Sequence, residues 1–242
     1  MIIYGINPVV EAIRTGRASE VMVVAPYGDR VRDLLKDART QGVAVRTVDH
    51  ETARRLAHGG VHQGVIARSQ AAPEATLESL ASGADGPPLV LVLDGVEDPN
   101  NVGAILRSID AAGATGLVRQ TRRAAPLDGG AAKASAGAVH HVPVADVVNV
   151  ARAIEELKQL GVWTVGLDAG AEVHYDEVDL TLPTALVVGA EGSGLRRLVR
   201  ERCDRLASIP MRGHVGSLNV SVAAAILLFE AVRQRNRGRQ GS

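Results

Sequence analysis

The chain has 242 residues, 46% of them hydrophobic, and its 27 basic and 27 acidic side chains cancel at pH 7. These values favour a globular protein with one large domain or two small ones over a disordered chain. Only five residues are aromatic, which excludes base stacking on aromatic platforms as the main mode of recognition. The single cysteine, Cys203, excludes a disulfide framework and a cysteine-based zinc cluster.

The sequence predicts neither a secretory signal nor a membrane anchor. The first residues, MIIYGINPVVEAIRTGR, lack a charged region followed by a continuous apolar stretch. Nowhere are 18 consecutive residues apolar, so no spanning helix is predicted. We therefore expect a soluble, cytoplasmic protein.

Residues 1–70 alternate between helical and extended patterns, which predicts a small α/β/α domain. Asn7 and Pro8 are a typical N-cap and first turn for a helix that reaches Thr15. The acidic stretch 71–88, rich in small residues and ending in Gly-Pro-Pro, is typical of a linker with one helical turn. The other predicted elements are the strands EVMVVAP, VAVRTV and VHQGVIAR and the helices 29–41 and 51–58.

From residue 89 the pattern predicts a larger α/β domain that reaches residue 242. The run LVLVLD (89–94) is apolar up to its last residue, as in a strand buried on both faces of a parallel sheet. Alternation of such strands with helices indicates an open, mostly parallel sheet. The other strands are expected at GLV, VWTVGLD, ALVVGA and ASIPM, and the helices over 101–113, 147–160, 195–203 and 218–235.

Positive charge is concentrated in residues 196–242, which carry ten arginines against three acidic residues. Local positive charge suits a polyanionic partner. Arginines placed at the negative ends of helices are the alternative, and charge alone leaves both open. The region includes Arg196, Arg197, Arg200, Arg202, Arg205, Arg233, Arg235, Arg237 and Arg239.

Ligands of open α/β sheets bind at the carboxyl ends of the strands, so the loops there are the candidate site. In DPNNVGAILRS, which follows the strand 89–94, Asn101 could cap the next helix or face a ligand. Arg107 stands among apolar residues of that helix, which predicts a place on its buried face. An arginine there needs a phosphate or carboxylate ligand, or an internal partner such as Glu97 or Asp110.

Two further loops carry unusual residues. In LVVGAEGSGLRR the glycines permit either close approach of a ligand or a tight turn, and Glu191 lies among them. Their spacing fits neither a dinucleotide-binding fingerprint nor a P-loop. In GHVGSLNVS, at the mouth of the last helix, capping explains one polar residue but not all of them. The three loops are expected to bring to one edge Asn101, Arg107, Glu191, Ser217 and Asn219.

These segments carry a family resemblance. DPNNVGAILRSIDAAG, LVVGAEGSGLRRLVRERCD and IPMRGHVGSLNVSVAAAILLFEAVRQR resemble, in order and spacing, the three signature motifs of the SpoU (TrmH) family of RNA ribose 2′-O-methyltransferases. YGINPVVEAIRTG and VHQGVIA resemble the small substrate-binding domain of the branch that methylates a guanosine of bacterial 23S rRNA. The resemblance covers nearly all of the chain outside the linker.

The resemblance implies a trefoil-knotted, parallel-sheet methyltransferase domain over 89–242, preceded by an L30e-like RNA-binding domain over 1–70. It implies S-adenosylmethionine as cofactor, bound at Gly189, Ile209 and Leu218, and no metal. It also implies a homodimer with the last helix at the interface, which agrees with a helix that is apolar on every side. Such a helix could instead be enclosed within one chain.

By the same resemblance, Arg107 acts on the ribose 2′-hydroxyl. Because a guanidinium rarely gives up its proton, we expect Arg107 to hold a phosphate and stabilise the developing alkoxide. Asn101 would orient it, and Glu191, Ser217 and Asn219 would complete the hydrogen-bonding shell.

The expected substrate is a guanosine of 23S rRNA. Transfer RNA and an adenosine whose methylation confers antibiotic resistance are alternatives, as is a ribosome-associated RNA-binding protein without catalysis. Phosphate contacts from the N-terminal domain and from arginines such as Arg196 and Arg197 are expected to dominate RNA affinity. His62, Gln63 and Arg68 could touch RNA or simply be exposed strand residues.

Overall fold

The computed structural model describes residues 1–83, 86–122 and 124–240, and in this part of the chain the strands form a four-stranded and a six-stranded sheet. Residues 84 and 85 of the predicted linker and the side chain of Arg239 lie outside it. In chain order the elements are β1 (Ile2–Tyr4), α1 (Ile6–Arg14), β2 (Ala18–Val23), α2 (Asp29–Thr40), β3 (Ala44–Thr47), α3 (His50–Leu56), β4 (Val65–Ser69), α4 (Leu77–Ser82), β5 (Leu89–Asp94), α5 (Pro99–Ala112), β6 (Gly116–Gln120), α6 (Gly129–Ala134), β7 (Val144–Val147), α7 (Val150–Gln159), β8 (Trp163–Leu167), β9 (Thr184–Gly189), α8 (Arg197–Arg202), β10 (Arg205–Ala207) and α9 (Val220–Gln240).

The smaller sheet has the order β1-β4-β2-β3, with β4 antiparallel to both of its neighbours and β3 parallel to β2. Helix α1 begins two residues earlier than the sequence predicts, because Gly5 rather than Asn7 is the N-cap. Gly5 has a φ of 95°, a conformation that other residues rarely adopt. The orphan N–H of Ile6 donates instead to the Gln63 side chain, at 3.1 Å. Gln63 therefore caps α1.

The larger sheet is parallel throughout and has the order β10-β8-β9-β5-β6-β7, so the prediction of an open parallel α/β sheet is confirmed. Every residue of the central strand β5 is buried, as the apolar run predicts. The strand β7 and the helix α6 had no clear sequence signal. The carboxyl ends of β5 and β9 lie side by side, with Asp94 opposite Gly189.

Helices cover both faces of this sheet. On one face, α5 and α9 bury residues such as Ile105 and Leu227, and on the other α7 buries Ile154 and Leu157. Helix α4, within the predicted linker, begins with a capping box between Thr76 and Ser79 and packs against the α7 face. This part of the linker is therefore folded onto the sheet. Its role as a domain boundary stays a prediction.

The two sheets are joined through α6, which packs against β1 and α1 and is followed by the 3-10 turn Ala138–His140. Lys133 donates from Nζ to the Val61 carbonyl at 2.9 Å, and the imidazole of His141 lies 2.7 Å from a Glu11 carboxylate oxygen. Next to this contact the side chain of His140 is buried, and neither ring nitrogen has a hydrogen-bond partner among the described residues. Burial, followed by the charge of Arg17, lowers the pKa of His140 to about 4.

His140 should make the stability of the protein depend on pH. In the unfolded chain its pKa returns to about 6.5, so between pH 6.5 and pH 4 the unfolded state binds more protons, and stability falls as the pH falls. The pKa difference corresponds to about 3 kcal/mol over that interval. Urea denaturation of a His140→Phe variant should show a weaker loss of stability on acidification than the wild type. The exposed His50→Phe serves as control, and equal pH slopes for His140→Phe and wild type would contradict this assignment.

Candidate active site

The side chain of Asn219 joins the three loops singled out from the sequence. Its amide nitrogen donates to the Asn101 carbonyl oxygen at 2.9 Å and to a Glu191 carboxylate oxygen at 2.5 Å. Its carbonyl oxygen accepts from the Ser221 N–H at 2.9 Å and from the Ser221 hydroxyl at 2.5 Å. Asn219 therefore caps α9 and at the same time holds the first turn of α5 against the loop after β9.

A cavity of about 990 Å³ opens beside this junction, at the carboxyl ends of β8, β9 and β10. Its walls come from the loops after β8 and β9 and from the segment between β10 and α9. The predicted cofactor residues Gly189, Ile209 and Leu218 all line it, as do Glu191, Ser217 and Asn219. A volume of this size lies within the usual range for small-molecule sites.

The glycine-rich loop after β9 forms one wall of the cavity and is folded tightly on itself. Gly194 donates its N–H to the Ala190 carbonyl at 2.9 Å. A Cβ atom at Gly189 would lie 2.1 Å from the carbonyl carbon of Gly194, so no larger residue fits there without displacing the loop. Gly192 and Gly194 have φ values of 79° and 65°, which glycine adopts at no steric cost. At these glycines the loop therefore presents backbone rather than side chains to the cavity.

Arg107 does not lie on the buried face of α5, and that prediction is wrong. The residues that α5 buries on the sheet include Val102, Ile105 and Ile109, which recur every three or four positions. Arg107 is two residues from Ile105 and from Ile109, so at 100° per residue it points away from this stripe, and it is exposed. It forms no hydrogen bond or ion pair with a residue that the structure describes. Neither Glu97 nor Asp110, the two candidate internal partners, therefore binds it.

Most arginines of the basic C-terminal region are held by partners within the chain, and these include Arg196 and Arg197, whose phosphate contacts stay a prediction. Arg196 binds the buried carboxylate of Asp94, and Arg197 lies 2.8 Å from Glu201. The sequence pattern cannot reveal such partners, because several are far away along the chain. The remaining pairs are Arg200 with Asp168, Arg202 with Glu155, Arg233 with Glu230, and Arg235 with the carbonyls of Pro87, Pro88, Leu180 and Leu182.

The candidate RNA contacts of the N-terminal domain are also engaged locally. The Arg68 guanidinium lies 3.1 Å from Glu20, and the Nδ1 of His62 accepts the N–H of Gly64 at 3.1 Å. By contrast, Arg122 after β6 and Arg212 before α9 are exposed and make no ion pair with any described residue. Their charges, like that of Arg107, are free for an outside anion.

Two polar residues at the carboxyl ends of neighbouring strands were not predicted as part of the site. Asp94 ends the apolar strand β5 with a side chain that is 0% exposed, and Gln120 ends β6. The signal for Asp94 was visible, since a carboxylate closing an otherwise apolar strand needs a partner. In the described part of the chain, no three His, Cys, Asp or Glu side chains are grouped so that they could hold a metal ion. None of its helices is long and apolar enough to cross a membrane.

Comparison with known proteins agrees with this architecture. Residues 88–229 match the model of the SpoU rRNA Methylase family, and residues 2–75 match the model for RNA 2′-O ribose methyltransferase substrate binding. The chain therefore belongs to the SpoU family of RNA methyltransferases.

Particular relatives are similar over most of their length. A 23S rRNA (guanosine-2′-O-)-methyltransferase RlmB of Ralstonia nicotianae is 49% identical over 86% of this chain and 84% of that protein. The RlmB of Xylella fastidiosa (strain 9a5c) is 46% identical over 96% of each chain. Among solved structures, the SpoU methyltransferase AviRb from Streptomyces viridochromogenes in complex with the cofactor AdoMet has a TM-score of 0.81. It is 27% identical, over 98% of this chain and 91% of that one.

An Asn219→Asp variant should weaken the junction while keeping the cap on α9. An aspartate still accepts the Ser221 N–H, but it cannot donate to Asn101, and it places a second carboxylate against Glu191. We expect a loss of about 1–2 kcal/mol in urea denaturation. Adding Glu191→Gln should restore part of that loss, because the glutamine amide can donate to the new carboxylate. Strictly additive effects of the two substitutions would mean that the contact does not form in solution.

Proposed function

We propose that the chain transfers a methyl group from S-adenosylmethionine to the ribose 2′-hydroxyl of a guanosine in 23S rRNA. The observation that carries the proposal is the junction at Asn219, where three family motifs distant in sequence meet beside one cavity. The RlmB relatives, named as guanosine-2′-O-methyltransferases of 23S rRNA, support the substrate. The N-terminal match to a substrate-binding domain supports RNA as the partner.

The cavity suits the cofactor. The lack of a side chain at Gly189 lets the loop that forms one wall pack closely on β9, and the half-buried Ile209 and Leu218 supply apolar surface for an adenosine. We assign cofactor binding to these three residues. When bound, S-adenosylmethionine supplies an activated methyl group on a positively charged sulfur, and its transfer requires no metal.

We assign the reaction itself to the residues around the junction. Asn101, Glu191 and Asn219 hold one another, so their role is to fix the position of the RNA ribose and of the loop. Ser217 is exposed at the cavity and can donate a hydrogen bond to the ribose. Arg107 has an exposed guanidinium without an internal partner, which suits it to hold an RNA phosphate and to stabilise the alkoxide that forms as the 2′-hydroxyl loses its proton.

Charge supports an RNA path across the carboxyl ends of the strands. Arg122 follows β6 and Arg212 follows β10, so both lie beyond the carboxyl ends of their strands. Their guanidinium groups, like that of Arg107 within α5, are exposed and have no acidic partner among the described residues. The paired arginines of α8 have most of their charge offset by carboxylates. RNA that is anchored on the N-terminal domain, next to α6, would therefore reach the cavity past Arg122.

We also propose the homodimer, the trefoil knot and the cytoplasmic location that the family resemblance implies. In support of the dimer, α9 buries one face but leaves Val222 and Phe229, seven residues apart on its other side, about half exposed. In support of the knot, residues 208–211 and 216–219 line the same cavity as the loop after β9. An enzyme that acts on rRNA works where rRNA is made and assembled.

The test is to incubate the protein with 23S rRNA and S-adenosylmethionine labelled in its methyl group, then to map the label by mass spectrometry of nuclease fragments. We expect one 2′-O-methylguanosine. Label on transfer RNA or on an adenosine would show that the substrate is not a guanosine of 23S rRNA. Methylation of a base, or no methyl transfer at all, would overturn the proposal.

Variants of Arg107 test its role in the same assay. Arg107→Ala should lower the rate roughly 10²–10³-fold while cofactor affinity stays within a few-fold, because loss of one preorganised charge-stabilising donor has about this cost. Arg107→Lys should stay impaired, since an ammonium cannot reproduce the planar fork of a guanidinium. The exposed Arg152→Ala, on the helix α7, is the matched control. Near wild-type rates for folded Arg107→Ala would remove Arg107 from the mechanism.

A further inference from the structure

A carboxylate is buried at the centre of the larger sheet. The Asp94 side chain is 0% exposed at the carboxyl end of β5, the strand that lies between β9 and β6. An ionised carboxylate in such a place is stable only if hydrogen bonds and an opposite charge compensate its lost hydration. The function proposed above makes no use of this residue.

One residue, Arg196, supplies most of that compensation. Its backbone N–H donates to Asp94 Oδ2 at 2.8 Å, and its Nε donates to Oδ1 at 2.6 Å. Its Nη2 completes the ion pair with Oδ1 and also donates to the Gln120 side-chain oxygen at 3.0 Å. Arg196 thus ties together the ends of β5 and β6.

Arg196 is also the residue at which the glycine-rich loop ends and α8 begins. The other side of the loop is held by Glu191, which accepts a hydrogen bond from Asn219. The loop is therefore fixed at two points, five residues apart, while Gly192 and Gly194 between them impose no stiffness of their own. Neither Asp94 nor Arg196 lines the cavity, whereas the loop between these points does.

We propose that Asp94 and Arg196, supported by Gln120, are positioning residues for the cofactor: their ion pair holds the glycine-rich loop in the shape that receives S-adenosylmethionine. This inference rests on the function proposed above. The pair acts through the loop, because neither side chain reaches the cavity. Without it, part of the binding energy of the cofactor would be consumed in ordering the loop.

The two partners differ in exposure, which predicts an asymmetry between variants. The Arg196 side chain is 56% exposed, and that of Asp94 is fully buried. In Asp94→Asn the arginine can turn to water, and the asparagine still accepts a hydrogen bond from the loop. In Arg196→Gln a buried carboxylate is left without its opposite charge, which is the more damaging change. Removing both charges should be less damaging than removing the arginine alone.

The test is calorimetric titration of each variant with S-adenosylhomocysteine, which reports binding without turnover. We expect Kd to rise about tenfold or more in Arg196→Gln and about threefold in Asp94→Asn. The double variant should bind more tightly than Arg196→Gln. At saturating S-adenosylmethionine the methyl-transfer rate should stay within about threefold of wild type, because bound cofactor reorders the loop. Arg197→Gln, whose guanidinium pairs with Glu201 on the surface, is the control and should leave Kd unchanged.

Three results would overturn the inference. A folded Arg196→Gln with wild-type Kd would make the pair purely structural. A double variant weaker than Arg196→Gln would show that the uncompensated Asp94 is not the cause. A fall in transfer rate at saturating cofactor without a change in Kd would place the pair in catalysis. If circular dichroism shows that Arg196→Gln does not fold, Arg196→Lys takes its place. The lysine keeps the positive charge but cannot bind Asp94 and Gln120 together, so this variant must raise Kd, and an unchanged Kd would overturn the inference. Failure of the wild type to bind S-adenosylhomocysteine would count against the proposed function itself.

Discussion

The candidate site depends on one side-chain amide. Asn219 offers two N–H groups and one carbonyl oxygen, and each is used: the first N–H by α5, the second by the loop after β9, and the oxygen by the first turn of α9. Because the three segments come from residues near 101, 191 and 219, this contact can form only once the whole larger domain has folded. A polar group that looks like a simple helix cap thus fixes how three loops meet.

The arginines of the larger domain fall into two groups. Carboxylate or carbonyl partners within the chain hold Arg197, Arg200 and Arg202 of α8 and Arg233 and Arg235 of α9. Others, among them Arg107, Arg122 and Arg212, are exposed and have no such partner among the described residues. A zero net charge therefore does not preclude local positive charge, because the paired acids offset only some of the arginines.

Much of this could be read from the sequence, and the reasons differ by residue. The buried strand LVLVLD and the helix after it were predictable, since an apolar run bounded by turn residues leaves few alternatives. The cavity residues Gly189, Ile209 and Leu218 came from motif resemblance, not from periodicity. The burial of Arg107 was predicted wrongly, because composition along a helix does not fix which face a residue takes. The carboxylate of Asp94 at the end of an apolar strand signals that a partner exists, but the partner itself could not be predicted, because Arg196 lies 102 positions away.

The cavity beside Asn219 is the proposed cofactor site. A crystal structure of the protein with S-adenosylhomocysteine tests this assignment most directly. We predict that the ligand lies in this cavity, against the backbone of the glycine-rich loop and the side chains of Ile209 and Leu218, with the contact between Asn219 and Glu191 intact. A ligand bound elsewhere, or a loop whose junction with Asn219 opens on binding, would contradict the account.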